Sequence, residues 1–260
     1  RAGYRAYPCT VPGNLELDLQ AVGLLPELFE GMNMLAARDL EHRHVWYWRE
    51  FDATPDPTRH FELVFEGLDC YADVYLNGIL LGSTDNMLIE QVLDVDGGLR
   101  AHNELLVHIR PAYAAAKQYP YSASDWALTF NYESLYVRKA PHMYGWDIMP
   151  RALSAGIWRP VTLRSRPLER LEEVYLQTLE AVPGRATAKL GLYFKARTAG
   201  DSRAVYELAV TGVCGSARFE QRRRITFDVG QLGVEVTDPQ LWWPAGRGPQ
   251  NLYDVTVQLL

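Results

Sequence analysis

The 260-residue chain is 48% apolar and 22% charged, which is ordinary for a globular protein and enough for two domains of roughly 100–170 residues, each with its own core. A formal charge of −6, with no basic run longer than Arg222–Arg224, excludes nucleic acid and anionic membrane as primary partners, and no stretch approaches the ~18 apolar residues of a membrane span. Cys9, Cys70 and Cys214 cannot all pair and sit in no CxxC or CxH spacing. They read as free buried thiols that lean toward a reducing compartment, with no metal site and no cofactor expected.

In chain order, Leu15, Leu17 and Leu19 alternate with Asn14, Glu16 and Asp18, a period-two pattern that predicts a strand ending at residue 19. Gly23, Pro26 and Gly31 then allow only a short helical turn, and another is expected over 36–42. VWYWREF at 45–51 reads as a strand buried on at least one side. Residues 61–65 alternate, 67–69 turn, and 71–76 and 79–82 flank Asn77-Gly78, whose residue types suit the positive φ angles of a type I′ hairpin. Further strands are expected over 88–95 and in LLVHIRP, ended by Pro111.

Residues 112–135 interrupt this rhythm with an alanine-rich turn, Pro120 and a polar mixture, an excursion of the kind that shapes a site. GIWRPVTLRSR closes the first domain, with Pro167 as the boundary. About seven strand candidates follow at the short spacing of a second sandwich, QRRRITFDV among them. Trp242-Trp243, bounded by prolines, reads as a plug covering a seam between the domains. Helical turns are confined to 21–42 and 112–135. The absence of an initiating methionine, and an ending inside an alternating pattern, predict a piece of a longer polypeptide.

The densest chemistry lies in YVRKAPHMYGWDIMPRALSAGIWRPVTL, residues 136–163. A tryptophan offers a stiff flat face to the C–H side of a pyranose, and an ionised carboxylate accepts hydrogen bonds from two vicinal hydroxyls. Trp146 and Asp147 are therefore candidate sugar contacts, and Arg138, Lys139 and Arg151 are expected to hold the Asp147 carboxylate ionised and fixed. The same residue types also fit core plugs at Trp146 and Trp158 over a buried ion-pair network. His142, beside Met143 and Tyr144, fits a structural donor or a general base. A glycine before and a proline after the run 145–150 predict a bent, exposed loop.

The succession VPGNLELDL, LPELFEGMN, VWYWREF, FEGLDCYADVYLNGILLG, DNM, VRKAPHMYGWDIMPR, GIWRPVTL and DPQLWWPAGRGPQNLYDV resembles the N-terminal half of glycoside hydrolase family 2, in its β-mannosidase-like branch, over residues 11–260. The resemblance implies an all-β chain: a jelly-roll, galactose-binding-like β-sandwich over 1–167, then an immunoglobulin-like β-sandwich over 168–260. It further implies a C-terminal (β/α)8 barrel as partner, which in the family bears the two glutamates of a retaining mechanism, so that no catalytic residue is assigned in this chain. The substrate would be a terminal β-linked, mannose-like sugar, and self-association stays possible. Gly145, Trp146, Asp147, Pro150 and Arg151 match the branch's Gly-Trp-Asp-Trp-Gly-Pro-Arg loop, which reaches into the barrel's pocket. Trp146, Asp147, Arg151, His142 and Arg138 are the substrate-binding candidates. Ile148 and Met149 stand where that branch has tryptophan and glycine, which keeps a related exo-glycosidase of other sugar specificity open. An autonomous carbohydrate-binding module is the alternative from another class.

Overall fold

The computed structural model describes residues 5–129, 131–198, 200 and 203–260. The chain divides into two compact units, Arg1–Ser165 and Arg166–Leu260.

Among the described residues the first unit holds nine strands: β1 (Val45–Asp52), β2 (Arg59–Phe65), β3 (Leu68–Asp69), β4 (Tyr71–Leu76), β5 (Ile79–Thr84), β6 (Gln91–Asp94), β7 (His102–Arg110), β8 (Gly156–Ile157) and β9 (Val161–Pro167), whose last residues cross the division between the units. One sheet runs β1-β7-β4-β5, a second runs β6-β2-β9, and β3 pairs with β8. Period-two alternation builds the core, since every second residue of a strand points to the same face. Tyr47, Phe61, Leu63, Phe65, Val74, Leu76, Val107 and Ile109 all turn inward and pack as one cluster contributed by both larger sheets. Asn77 and Gly78 take φ of 52° and 82°, as the β4–β5 hairpin requires.

Several sequence expectations need correction. Residues 15–19 are no strand: Leu15–Ala21 is a helix, α1, because the Asn14 side chain caps the Leu17 N–H at 2.9 Å and Glu16 and Asp18 stand in its first turn, where negative charge is favoured. The alternation is inverted in its effect, for Glu16 is buried while Leu17 is half exposed. The turn expected over 36–42 is a 3-10 stretch over Asn33–Leu40. Of residues 67–69, expected as a turn, Leu68 and Asp69 form the short strand β3. The strand expected over 88–95 shortens to β6. A second helix, α2 (Ala112–Ala116), and a 3-10 turn (Tyr132–Leu135) fall within the expected excursion, but a further turn (Pro141–Tyr144) lies outside it.

Among the described residues the second unit has six strands where about seven were expected: β10 (Arg170–Glu180), β11 (Thr187–Arg197), β12 (Glu207–Cys214), β13 (Ala217–Arg224), β14 (Val229–Thr237) and β15 (Asp254–Leu259). They form two three-stranded sheets, β10-β11-β14 and β13-β12-β15, around Leu192, Phe194, Leu208, Val210, Leu232 and Val234. QRRRITFDV is not one strand but the end of β13, a bend over 225–228, and the start of β14. Trp242 and Trp243 both stay partly exposed and line a groove within this unit together with Leu176, Phe219 and Tyr253.

A smaller cluster of Cys70, Met87, Ala116 and Val137, with Met143 and Trp158 against it, seats the long segment after α2 on the first sandwich. The Met87 N–H donates to the Arg138 carbonyl at 3.0 Å, which fixes the entry of the chemically dense segment.

Candidate functional site

The candidate site rises from a buried base to an exposed tip. At the tip, the Trp146 N–H donates to the Met149 carbonyl at 2.9 Å and the Met149 N–H returns a bond to the Trp146 carbonyl at 3.2 Å. Asp147 and Ile148 are thus the two turn residues of a closed mini-hairpin, in keeping with the bent loop expected there. Trp146 is 69% exposed and Ile148 83% exposed. Asp147 is exposed and makes no hydrogen bond or ion pair among the described residues.

The base is held by charge. Arg151 lies beneath the tip, with its side chain only 8% exposed, and its guanidinium grips Glu41 through Nε at 2.9 Å and Nη2 at 2.9 Å. Its Nη1 is 3.4 Å from Glu133. Glu41 also takes the Arg38 Nε at 2.9 Å, so two guanidinia balance two buried carboxylates. The forked guanidinium suits a bidentate carboxylate, and the Tyr113 and Tyr144 rings lie within 5.7 and 5.4 Å of it. Burial works against the charged form of Arg151, yet Glu41 and Glu133 outweigh it and raise its pKa. A second anchor stands behind this one: Lys139, 1% exposed, donates to Asp69 and to the Ser154 carbonyl, and the Ser154 hydroxyl donates to Glu16 of α1. Burial pushes both the Glu16 and the Asp69 carboxyls upward, against the opposing pull of Ser154 and of Lys139.

Gly145 joins base to tip. Its φ of 94° lies where an L side chain is strained, and a Cβ there would stand 3.2 Å from the Arg151 Cβ. Between hairpin and base opens a cavity of about 370 Å³ lined by Arg38, Tyr113, Glu133, Tyr144, Trp146 and Arg151, among others.

The expected clamp on Asp147 by Arg138, Lys139 and Arg151 is therefore not what forms. Arg151 and Lys139 spend their charge on Glu41, Glu133 and Asp69, all buried carboxylates, since an uncompensated charge in a low-dielectric interior costs far more than one in water. Arg138 and His142 are solvent-exposed on the approach to the hairpin, and their side chains join neither anchor. The two open readings of the segment thus divide by residue: Trp158 plugs the satellite core and Arg151 belongs to a buried ion network, whereas Trp146 and Asp147 face solvent. Glu41, Glu133, Asp69 and Glu16 escape a reading of local pattern. Glu41, just past the Asn33–Leu40 turn, is 110 residues from Arg151 along the chain, and no local pattern links the two.

The model of the glycosyl hydrolase 2 galactose-binding domain-like family matches residues 1–159, and that of glycosyl hydrolases family 2 matches residues 170–260. Beta-mannosidase B of Emericella nidulans is 30% identical over 262 residues, covering 96% of this chain and 30% of the relative. Beta-mannosidase B of Thermothelomyces thermophilus is 32% identical, covering 96% and 29%. The crystal structure of the beta-D-mannosidase from Dictyoglomus thermophilum superposes with a TM-score of 0.78 at 30% identity, over 97% of this chain and 31% of that one. The chain spans less than a third of the length of these relatives. Two family models that together cover most of the residues, on two all-β sandwiches, establish that the chain belongs to glycoside hydrolase family 2.

Proposed function

We propose that this chain is the non-catalytic N-terminal part of a β-mannosidase-like exo-glycosidase, and that it lends the Trp146–Asp147 hairpin to a (β/α)8 barrel that carries the catalytic carboxylates. The observation that supports this most is the contrast within the hairpin: an aromatic face and an uncommitted carboxylate at the tip, on a base whose own charges are all spent. Trp146 stacks on the C–H face of the terminal sugar, and Asp147 accepts hydrogen bonds from two neighbouring hydroxyls. Arg151 acts from below as a positioning residue. His142 and Arg138, exposed on the same segment, contact hydroxyls at the margin. A retaining glycosidase needs two carboxylates about 5–5.5 Å apart astride the scissile bond, and in this reading the barrel supplies both. The resemblance to mannosidases points to a β-mannoside as substrate.

The test is Asp147→Ala in the barrel-bearing protein, assayed on 4-nitrophenyl β-mannoside. The expected result is a fall in kcat/KM of roughly ten- to a thousandfold, the ~1.5–4 kcal/mol of a lost charge-assisted contact in a desolvated site. The melting temperature should move by no more than about 1–2 °C, as for an exposed side chain. An unchanged kcat/KM overturns the reading.

A further inference from the structure

We infer that His60, Asp94 and Asp96, on the β6 edge of the first sandwich, form a binding site for a divalent transition-metal cation of the zinc class. The inference does not depend on the glycosidase reading. His60 sits in β2 with its side chain 4% exposed, and both of its ring nitrogens face carboxylates. Nε2 is 3.2 Å from Glu62 Oε1, and Nδ1 is 2.5 Å from Asp96 Oδ2 and 3.9 Å from Asp94 Oδ2. A neutral imidazole carries one N–H, so it can satisfy only one of those two sides. On the other, lone pair meets lone pair unless a second proton or a metal ion stands between them.

The surroundings favour the metal at Nδ1. Glu62 is itself fixed, because its Oε2 accepts from the Arg164 Nε at 2.8 Å. With the Nε2–H directed at Glu62, the Nδ1 lone pair points outward, the carboxylate–histidine–metal arrangement by which outer partners orient a ligand. Each aspartate is anchored by the oxygen it does not turn toward the ring: Asp96 Oδ1 accepts the Phe61 N–H at 2.5 Å, and Asp94 Oδ1 accepts the Asp96 N–H at 2.9 Å. The three ligand atoms lie within 4.8 Å of one another. Asp94 and Asp96 meet no Lys or Arg side chain among the described residues and face His60, two negative charges that a divalent ion matches.

Ligands about 2.0–2.2 Å from a tetrahedral zinc stand roughly 3.3 Å apart, so Asp96 must retreat by less than 1 Å and Asp94 close in by about as much. Both can do so, being 39% and 62% exposed, and the fourth position opens to solvent. One imidazole with two carboxylates suits zinc or manganese, whereas calcium and magnesium prefer all-oxygen sets.

The test is calorimetric titration of the chelator-stripped protein with ZnCl2 and MnCl2, with CaCl2 and MgCl2 as comparison, followed by thermal melts. The expected result is one saturable Zn2+ site, a melting temperature that rises with Zn2+, and at least tenfold weaker binding in both Asp94→Asn and Asp96→Asn. Asparagine keeps the Oδ1 acceptor that anchors each loop position, and an unchanged far-ultraviolet circular dichroism spectrum verifies the fold. Absence of saturable binding at millimolar Zn2+ overturns the proposal, as does binding unchanged in both variants. Loss of binding in His44→Ala instead overturns it too, by placing the ion at the exposed His44–His108 pair, whose ring nitrogens are 2.8 Å apart. So does an imidazolium nitrogen signature at His60 that persists in excess Zn2+, which would show that a second proton fills the gap.

Discussion

Asp147 and Arg151 are four residues apart and obey opposite rules. Arg151 is sunk beneath the hairpin, and each face of its guanidinium fork is taken up by Glu41 or Glu133. Asp147 stands at the turn with no such partner among the described residues. A charge bound inside the protein has spent its hydrogen-bonding capacity, so it can shape a site but has little left to offer a ligand. A charge left in water keeps that capacity, and on a rigid base it loses little freedom when a ligand arrives. Substitutions that break the base should therefore cost stability, and substitutions at the tip should leave stability alone.

The largest effect is expected from Arg151→Met, which strips two buried carboxylates of their shared cation and, among the described residues, leaves the half-exposed Arg38 beside Glu41. Breaking a buried pair by removing one partner costs about 3–5 kcal/mol, and urea denaturation of the variant should show a loss in that range. Arg151→Lys should recover little of it, because an ammonium cannot make the paired Nε and Nη2 contacts to Glu41. A loss below about 1 kcal/mol for the methionine variant would mean that the base is held by packing alone.

Lys139→Met should come next, near the lower end of the same range, about 3 kcal/mol at pH 7, because Asp69 can relieve part of the loss by taking up a proton. Burial already raises the Asp69 pKa above its ordinary 3.8 even with Lys139 opposing it, and removing the lysine removes that opposition. A folded carboxyl that binds its proton more tightly than the unfolded chain does gains stability as pH falls, so the penalty should shrink from pH 7 toward pH 5. Denaturation of wild type and variant at both pH values checks this. A penalty that stays constant or grows on acidification would show that Asp69 stays ionised without its partner.

How much of this was legible in the sequence divides along the same line. Period two located most strands of both sandwiches, Asn77-Gly78 fixed a hairpin, and Gly145 with Pro150 marked the bent loop at the tip. These signals are local, carried by residues a few positions apart. The base was illegible because its partners lie 110, 70 and 18 residues apart, and no pattern along the chain announces which carboxylate will meet which cation. The same cause explains the misread α1. Leu15, Leu17 and Leu19 alternate as in a strand, but Asn14 caps a helix, and the side chain that the fold buries is Glu16, drawn inward by Ser154 from 138 residues away. Arg151 meets Glu41 and Glu133 and not Asp147, since nearness in sequence counts for less than the need of buried carboxylates for a cation.

The smallest effect, and the one that most sharpens the boundary between base and tip, is expected from Gly145→Ala. Gly145 holds φ at 94°, and an alanine Cβ would press the Arg151 Cβ at 3.2 Å, tighter than ordinary van der Waals contact. With ψ at 146° this is a region almost confined to glycine, where an L residue costs on the order of 1–3 kcal/mol, and the chain has two ways to meet that cost. If the base yields, Arg151 shifts, its bonds to Glu41 lengthen, and the loss of stability exceeds the local strain. If the tip yields, the Trp146–Met149 pairing opens, the Arg151 network survives, and the loss stays near the local value. Asp147 would then become mobile while the core is untouched. Because Arg151 is gripped by two carboxylates and flanked by two tyrosine rings, whereas the hairpin is closed by two backbone hydrogen bonds in water, the tip should yield. Amide hydrogen exchange separates the outcomes. Protection lost at Trp146 and Met149 alone, with a denaturation loss of about 1–3 kcal/mol, is the expected result. Protection lost also at Ala152, whose N–H donates to the Met143 carbonyl within the base, would show that tip and base move as one body.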